Sequence, residues 1–211
     1  MIASNENGTG SLAFSSGTGL TLERSSPVAP FDAEVQLAID VIDLDDTAYP
    51  LNPATFGGTG VPFDVSNRFQ FGRLRFENAA GSELVDLPMR LRTQQFDGVV
   101  FVDDSQDSCS SVSPSTLDLT RNPTSLATTP SLEYDPIFAG DSGLALSAPS
   151  DVGTVDIVVD LGASGANLPW LRYDWPRDGN LDGVFDDDPY ARATFGIWQG
   201  RNHLIYMREV Y

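Results

Sequence analysis

Five aspartates and an asparagine fall within the twelve residues "DGNLDGVFDDDP", 178 to 189. Short oxygen-bearing side chains at alternate positions of a tight turn suit a hard divalent cation, which needs several oxygens converging on one point. Asp178, Asn180 and Asp182 stand at the first, third and fifth positions of a calcium-loop pattern, with Gly183 at the sixth to permit the bend. The Val184 carbonyl supplies the next ligand and Asp186 falls at the ninth position. Pro189 replaces the bidentate Glu of the twelfth, so Asp187 or Asp188 must close the sphere by another backbone path. The expected set is Asp178, Asn180, Asp182, Val184, Asp186 and Asp188, and the expected ion is Ca2+. Pro169, Pro176 and Pro189 exclude flanking helices, so this is a loop within a β domain and not an EF-hand. The competing reading is a solvated acidic turn, its repulsion partly relieved by Arg177 and Arg192. Phe185 is expected to anchor the loop in the core.

Other chemistry is sparse. Trp170, Tyr173, Trp175 and Trp198 gather around the loop, and Trp175 and Trp198 are candidates for stacking on sugar rings if exposed, or core residues if buried. The acids Asp43, Asp45 and Asp46, and again Asp103, Asp104 and Asp107, lie at strand ends and read as turn formers. With His203 the sole histidine and Cys109 the sole cysteine, no nucleophile–base pair stands out, and no enzyme is expected. Cys109 has no partner for an internal disulfide.

The elements that position these residues read as strands. In "FDAEVQLAIDVID", Val35, Leu37, Ile39 and Val41 alternate with polar residues, the period of a half-buried strand. "RFQFGRLRFENAAGSELVDLPMRLR" reads as a hairpin. Phe69 and Phe71 have one parity and Leu74 and Phe76 the other, which predicts a bulge at Gly72. Beyond an Ala-Ala-Gly-Ser turn, Val85, Leu87, Met89 and Leu91 share a face, and Pro88 requires an edge strand. "GVVFVDD" and "TVDIVVDL" are further strands, and "ATFGIWQGRNHLIYMREVY" reads as a closing hairpin.

Residues 1–30, rich in Gly, Ser and Thr, form a tail or a weak first strand. The domain proper spans 31–211, with a Ser/Thr/Pro-rich stretch within 105–150 that is either a surface loop or a divide between two subdomains. Leu117, Leu119 and Leu126 indicate that this stretch lies on something apolar. The fold class is all-β, an antiparallel β-sandwich, Ig-like or jelly-roll-like, with long loops.

Composition narrows the partners. The 211 residues carry a net charge of −18, every one of the twelve bases is Arg, and Asp outnumbers Glu about threefold. Such a field repels phosphates and so argues against nucleic acid and anionic membranes. No apolar run reaches the length of a membrane span. "MIASNENGTGSLAF" lacks the basic region and apolar run of a signal peptide, so the chain reads as a fragment without its targeting segment.

Three blocks carry a family resemblance: "FGRLRFENAAGSELVDLPMRLR" at 71–92, "DDSQDSC" at 103–109, and the stretch 170–211 ending in "REVY". Together they resemble the C-terminal region of the MshQ-like proteins, the DUF6701 family. That resemblance implies a secreted surface protein of Gram-negative bacteria, encoded with mannose-sensitive haemagglutinin (type IV pilus) systems. It implies no activity. The family's "DWDGDG" run corresponds to Asp174–Gly179, with Pro176 in place of its middle Asp. The added "LDG" step therefore sets the expected register at Asp178 and leaves Asp174 outside it.

The expected function is thus a calcium-stabilised, non-enzymatic module of a pilus-associated, extracellular cell-surface adhesin. Two alternatives stand beside it: a carbohydrate-binding module for cell-surface glycans, and an assembly module docking on minor pilins or other pilus components through an edge strand.

Overall fold

The computed structural model describes residues 2–4, 10–12, 25–39, 54–62, 68–149, 151–176 and 181–196. Strands dominate. In chain order they are β1 (Ile2–Ser4), β2 (Gly10–Leu12), β3 (Glu34–Ile39), β4 (Ala54–Pro62), β5 (Gly72–Phe76), β6 (Ala79–Gly81) and β7 (Leu87–Pro88). There follow β8 (Leu91–Phe96), β9 (Phe101–Asp103), β10 (Leu117–Asn122), β11 (Pro130–Ser131), β12 (Ala145–Leu146), β13 (Gly153–Val159) and β14 (Tyr190–Phe195). Two single turns of 3-10 helix, Pro114–Thr116 and Pro169–Leu171, interrupt the loops.

Three sheets share one apolar core. Their orders are β10-β13-β14-β6, β5-β8-β9 and β11-β12-β7, while β1-β2 and β3-β4 pair separately. The clearest alternation in the sequence gives the clearest strand. Val155, Ile157 and Val159 of β13 are at most 1% exposed, and the residues between them are half-buried. From the other sheets Leu74, Phe76, Leu87, Leu91 and Leu146 meet them in the same cluster. Each such side chain contributes about 1.5–3 kcal/mol on burial, so this all-β, sandwich-like packing is where stability resides.

The expected 68–92 hairpin is more elaborate than its sequence suggests. β5 pairs with β8 in unbroken antiparallel register, Gly72 opposite Gln95 to Phe76 opposite Leu91, so Gly72 begins the strand and no bulge interrupts the pairing. Phe69 lies before the strand, bridged to Phe31, which is why its parity carries no information about β5. The Ala-Ala-Gly segment is the strand β6 and not a turn; it pairs in parallel with β14, Ala193 beside Ala79. Leu87, Met89 and Leu91 are buried as expected, whereas Val85 is 60% exposed, because it sits in the turn before β7. Pro88 lies on an edge strand, with β12 as its only neighbour in that sheet among the described residues.

The Ser/Thr/Pro-rich stretch contributes to the same core. It supplies β10, the outer neighbour of β13, together with the buried Leu117 and Leu126 and the partly buried Leu119. Val41 and the second half of the closing hairpin, Ile197 to Tyr211, lie outside the described residues.

Candidate cation loop and its aromatic mount

The acidic run is carried between a short anchor, Arg172–Trp175, and the start of β14. Tyr173 and Asp187 exchange two backbone hydrogen bonds of 3.2 Å, closing the base of the loop. Asp187 Oδ2 also accepts from the Trp175 amide at 3.0 Å. Within the loop, Asp182 Oδ1 accepts from the Val184 amide at 2.8 Å, a turn that short carboxylates make readily. Gly183 has φ +79° with open space around its α-carbon, so glycine is required there by backbone conformation alone.

Asp174, outside the set expected from sequence, reaches into this turn. Its Oδ2 accepts from the Gly183 amide at 2.9 Å, while its Oδ1 is buried without a hydrogen-bond partner. A buried carboxylate oxygen left unmet costs on the order of 1–3 kcal/mol or more, so a positive charge beside it would be stabilising. The Pro176 substitution, which removed the following Asp from the sequence pattern, concealed it.

The other expected ligands divide. Asp178 and Asn180, like Arg177, lie outside the described residues. Asp182, Val184 and Asp186 are exposed on the loop. Asp188 is held elsewhere. Its carboxylate receives Arg172 Nε at 2.8 Å and Nη2 at 3.2 Å, and Oδ1 also accepts from the Leu161 amide at 3.1 Å. The hydrogen-bonded Asp188 raises Arg172 above its ordinary range despite burial, with Asp160 and Asp186 adding to the pull. Arg192, expected to neutralise the run, instead grips Asp156 at 2.6 and 2.8 Å, because β13 and β14 place the two residues directly opposite. Among the described residues no group of three or more His, Cys, Asp or Glu is gathered to hold a metal.

The loop sits on an aromatic platform. Phe185 is only half-buried and packs outside the main core, 5.6 Å from Phe71 and 5.2 Å from Tyr173 between ring centres. Tyr173 in turn lies 5.2 Å from Trp175 and 5.1 Å from Phe101, which contacts Phe96 at 5.2 Å. The face is set by β5: Leu74 and Phe76 point into the core, so Arg73 and Arg75 point the other way. Arg73 places its guanidinium 3.7 Å from the Phe101 ring centre, 4.7 Å from Tyr173 and 5.0 Å from Trp175. Burial lowers its pKa, partly opposed by Tyr173. Its Nε and Nη2 donate to Gln94 Oε1 at 3.0 and 2.8 Å, Gln94 Nε2 donates to Asp103, and Arg92 bridges Asp103 and Asp141. A cation enclosed by three rings and a hydrogen-bonded relay fixes the loop's base to the sheet.

Trp175, a candidate sugar platform from sequence, is therefore half-buried beneath Arg73, with its indole N–H buried and unpartnered. Trp198 and His203 lie outside the described residues, as do Asp43, Asp45 and Asp46. Asp104 and Asp107 cap turns, accepting from the amides of Gln106 and of Cys109 and Ser110. Asp103 differs, its carboxylate paired with Arg92 and Gln94, and the Gln94 hydrogen bond does most to hold its pKa below the usual range.

No curated protein and no solved structure matches the chain. Residues 70–210, which hold the core sheets, the aromatic platform and the acidic loop, match the model of the DUF6701 fourth domain. The chain belongs to the DUF6701 family.

Proposed function

We propose that this chain is a non-enzymatic, Ca2+-stabilised β module at the C-terminal end of a secreted, pilus-associated cell-surface adhesin. The observation that carries the calcium reading is Asp174 Oδ1, a carboxylate oxygen buried without a partner beside the Asp182–Val184 turn. On this reading the ion draws on Asp174, Asp178, Asn180, Asp182, the Val184 carbonyl and Asp186, while Asp188 serves as the structural partner of Arg172. Membership of DUF6701 and the likeness of the 170–211 block to MshQ-like C-termini support the surface and pilus setting. The module's role is to hold a rigid terminal fold whose stability rises with extracellular calcium.

Thermal melting tests this. At a calcium concentration about a hundredfold above Kd, binding to the folded state alone adds about 2.7 kcal/mol, a rise of roughly 5–10 °C for a domain of this size. Asp174→Asn and Asp182→Asn are expected to cut the rise by about half or more. Identical melting in calcium and in chelator for the parent chain would refute the calcium reading.

A further inference from the structure

The outermost strands of a sheet present unpaired N–H and C=O groups, a template for any further strand. Among the described residues, all but one of the edges of the core sheets are blunted. β6 and β9 are three residues long, and β7 and β11 carry Pro88 and Pro130. On β5 the outward peptide groups of Leu74 and Phe76 are buried. The exception is β10, six residues without proline at the edge of the β10-β13-β14-β6 sheet. Its hydrogen-bond phase is fixed. The Asp160 amide donates to the Thr116 carbonyl at 2.8 Å, and the register continues from Leu117 opposite Val159. Asp118, Thr120 and Asn122 therefore turn their peptide groups toward β13, and Leu119 and Arg121 turn theirs outward. Among the described residues nothing meets these two peptide groups.

We propose that β10 pairs antiparallel with β10 of a second copy of this chain, joining their sheets into one. A two-fold interface sets the strand against its own reverse, so the strand must be self-complementary. With the axis at Thr120 it is. Leu119 and the partner's Arg121 exchange N–H···O bonds in both directions, and the symmetric pair repeats them. On the exposed face Asp118 stands opposite the partner's Asn122, whose amide donates to it, and Thr120 stands opposite the partner's Thr120, a favoured cross-strand pair. Neighbouring registers lose bonds. An axis at Leu119 sets Arg121 against Leu117, whose N–H is already given to Pro114, and an axis at Arg121 sets Leu119 against Pro123, which has none. Charge also favours this occupant. In a chain of 30 acids and 12 bases, β10 carries one of each, Asp118 and Arg121, and no acid opposes an acid across the axis. So short a seam, below the usual interface area of about 1,200 Å2, binds weakly, with Kd on the order of 0.1 mM. The strand shares no residue with the acidic loop, and its pairing does not depend on calcium.

Sedimentation velocity in chelator and reductant, from about 10 µM to about 1 mM chain, reads the association directly. A concentration-dependent dimer is expected, tightening severalfold from about 0.05 to about 0.5 M NaCl as salt screens the repulsion between two acidic copies. Thr120→Arg changes an exposed position and should melt with the parent. It sets two guanidinium groups directly opposite each other and should weaken the dimer about fivefold, although it lowers the net negative charge. Cross-linking reads the register, in a Cys109→Ser background that removes the chain's one thiol. Opposed residues of a non-hydrogen-bonded pair have α-carbons about 4.5 Å apart, within disulfide reach, so Thr120→Cys should give a linked dimer with oxidised glutathione. Asp118→Cys, which faces the partner's Asn122, should not. A monomer at every concentration, a dimer indifferent to Thr120→Arg, or equal cross-linking at both positions overturns the proposal. The first of these outcomes would leave the edge to a strand of a different protein. All measurements are made without calcium, so none bears on the calcium reading.

Discussion

The Asp174 carboxylate accepts a hydrogen bond from the Gly183 amide at 2.9 Å across nine residues of chain, with its second oxygen buried and unmet. This contact ties the anchor Arg172–Trp175 to the turn at Asp182–Val184, so that the acidic run folds back on its own base. Gly183→Ala should disturb this loop through backbone strain alone, since nothing lies within 4 Å of the added methyl. At φ +79° the cost is about 1–2 kcal/mol. Urea denaturation is expected to show a shifted midpoint with an unchanged m-value, together with weaker calcium binding.

Asp188 and Asp182 are both acids of the same run, yet they should behave oppositely. Asp188→Asn breaks a half-buried, two-point contact with Arg172 and should lower the melting temperature by the same amount in calcium and in chelator. Asp182→Asn should lower it in calcium only. A calcium-dependent effect at Asp188 would place that carboxylate in the ion's sphere and not with Arg172.

Arg73 is the keystone of the aromatic platform. Arg73→Lys keeps the charge but loses the planar stacking on Phe101, Tyr173 and Trp175 and the paired donation to Gln94, so a loss of about 1–2 kcal/mol is expected. Arg73→Ala should cost more and shift tryptophan emission to the red as Trp175 gains solvent. Chemical denaturation followed by fluorescence measures both effects.

Leu126→Ala tests whether the Ser/Thr/Pro-rich stretch is integral to the core. Leu126 is 1% exposed within the shared apolar cluster, so the substitution should cost about 2–5 kcal/mol. A single cooperative transition at lower temperature is expected in differential scanning calorimetry. Two separated transitions would instead show that the stretch divides independent units.

What the sequence disclosed follows from which forces act locally. The alternation of Val155, Ile157 and Val159 is a local pattern, and β13 is buried as that pattern requires. Pro88 similarly announces an edge, because it has no N–H to give. Ala79–Gly81 carries no such signal. Its pairing with β14 joins residues more than a hundred positions apart, and small side chains leave no periodicity to read. The aromatic platform was half-visible. Parity places Phe71 and Arg73 opposite Leu74 and Phe76, but only the fold brings Tyr173, Trp175 and Phe185 across to meet them. The acidic loop was legible as a cluster of oxygens. Its partition was not, because Asp188 was taken by Arg172 and Asp174 recruited by Gly183 through contacts that sequence spacing does not encode.

The central claim is that this loop binds Ca2+ with Asp174 among its ligands, and isothermal titration calorimetry on the chelator-stripped chain tests it most directly. Saturable binding of Ca2+ is expected in the parent chain, surviving excess Mg2+ because the smaller ion demands a near-ideal octahedron and sheds its water reluctantly, whereas Ca2+ accepts six to eight oxygens in irregular geometry. Asp174→Asn should weaken this binding by tenfold or more, equivalent to about 1.4 kcal/mol. No saturable calcium heat in the parent, or an unchanged Kd in Asp174→Asn, would contradict the account.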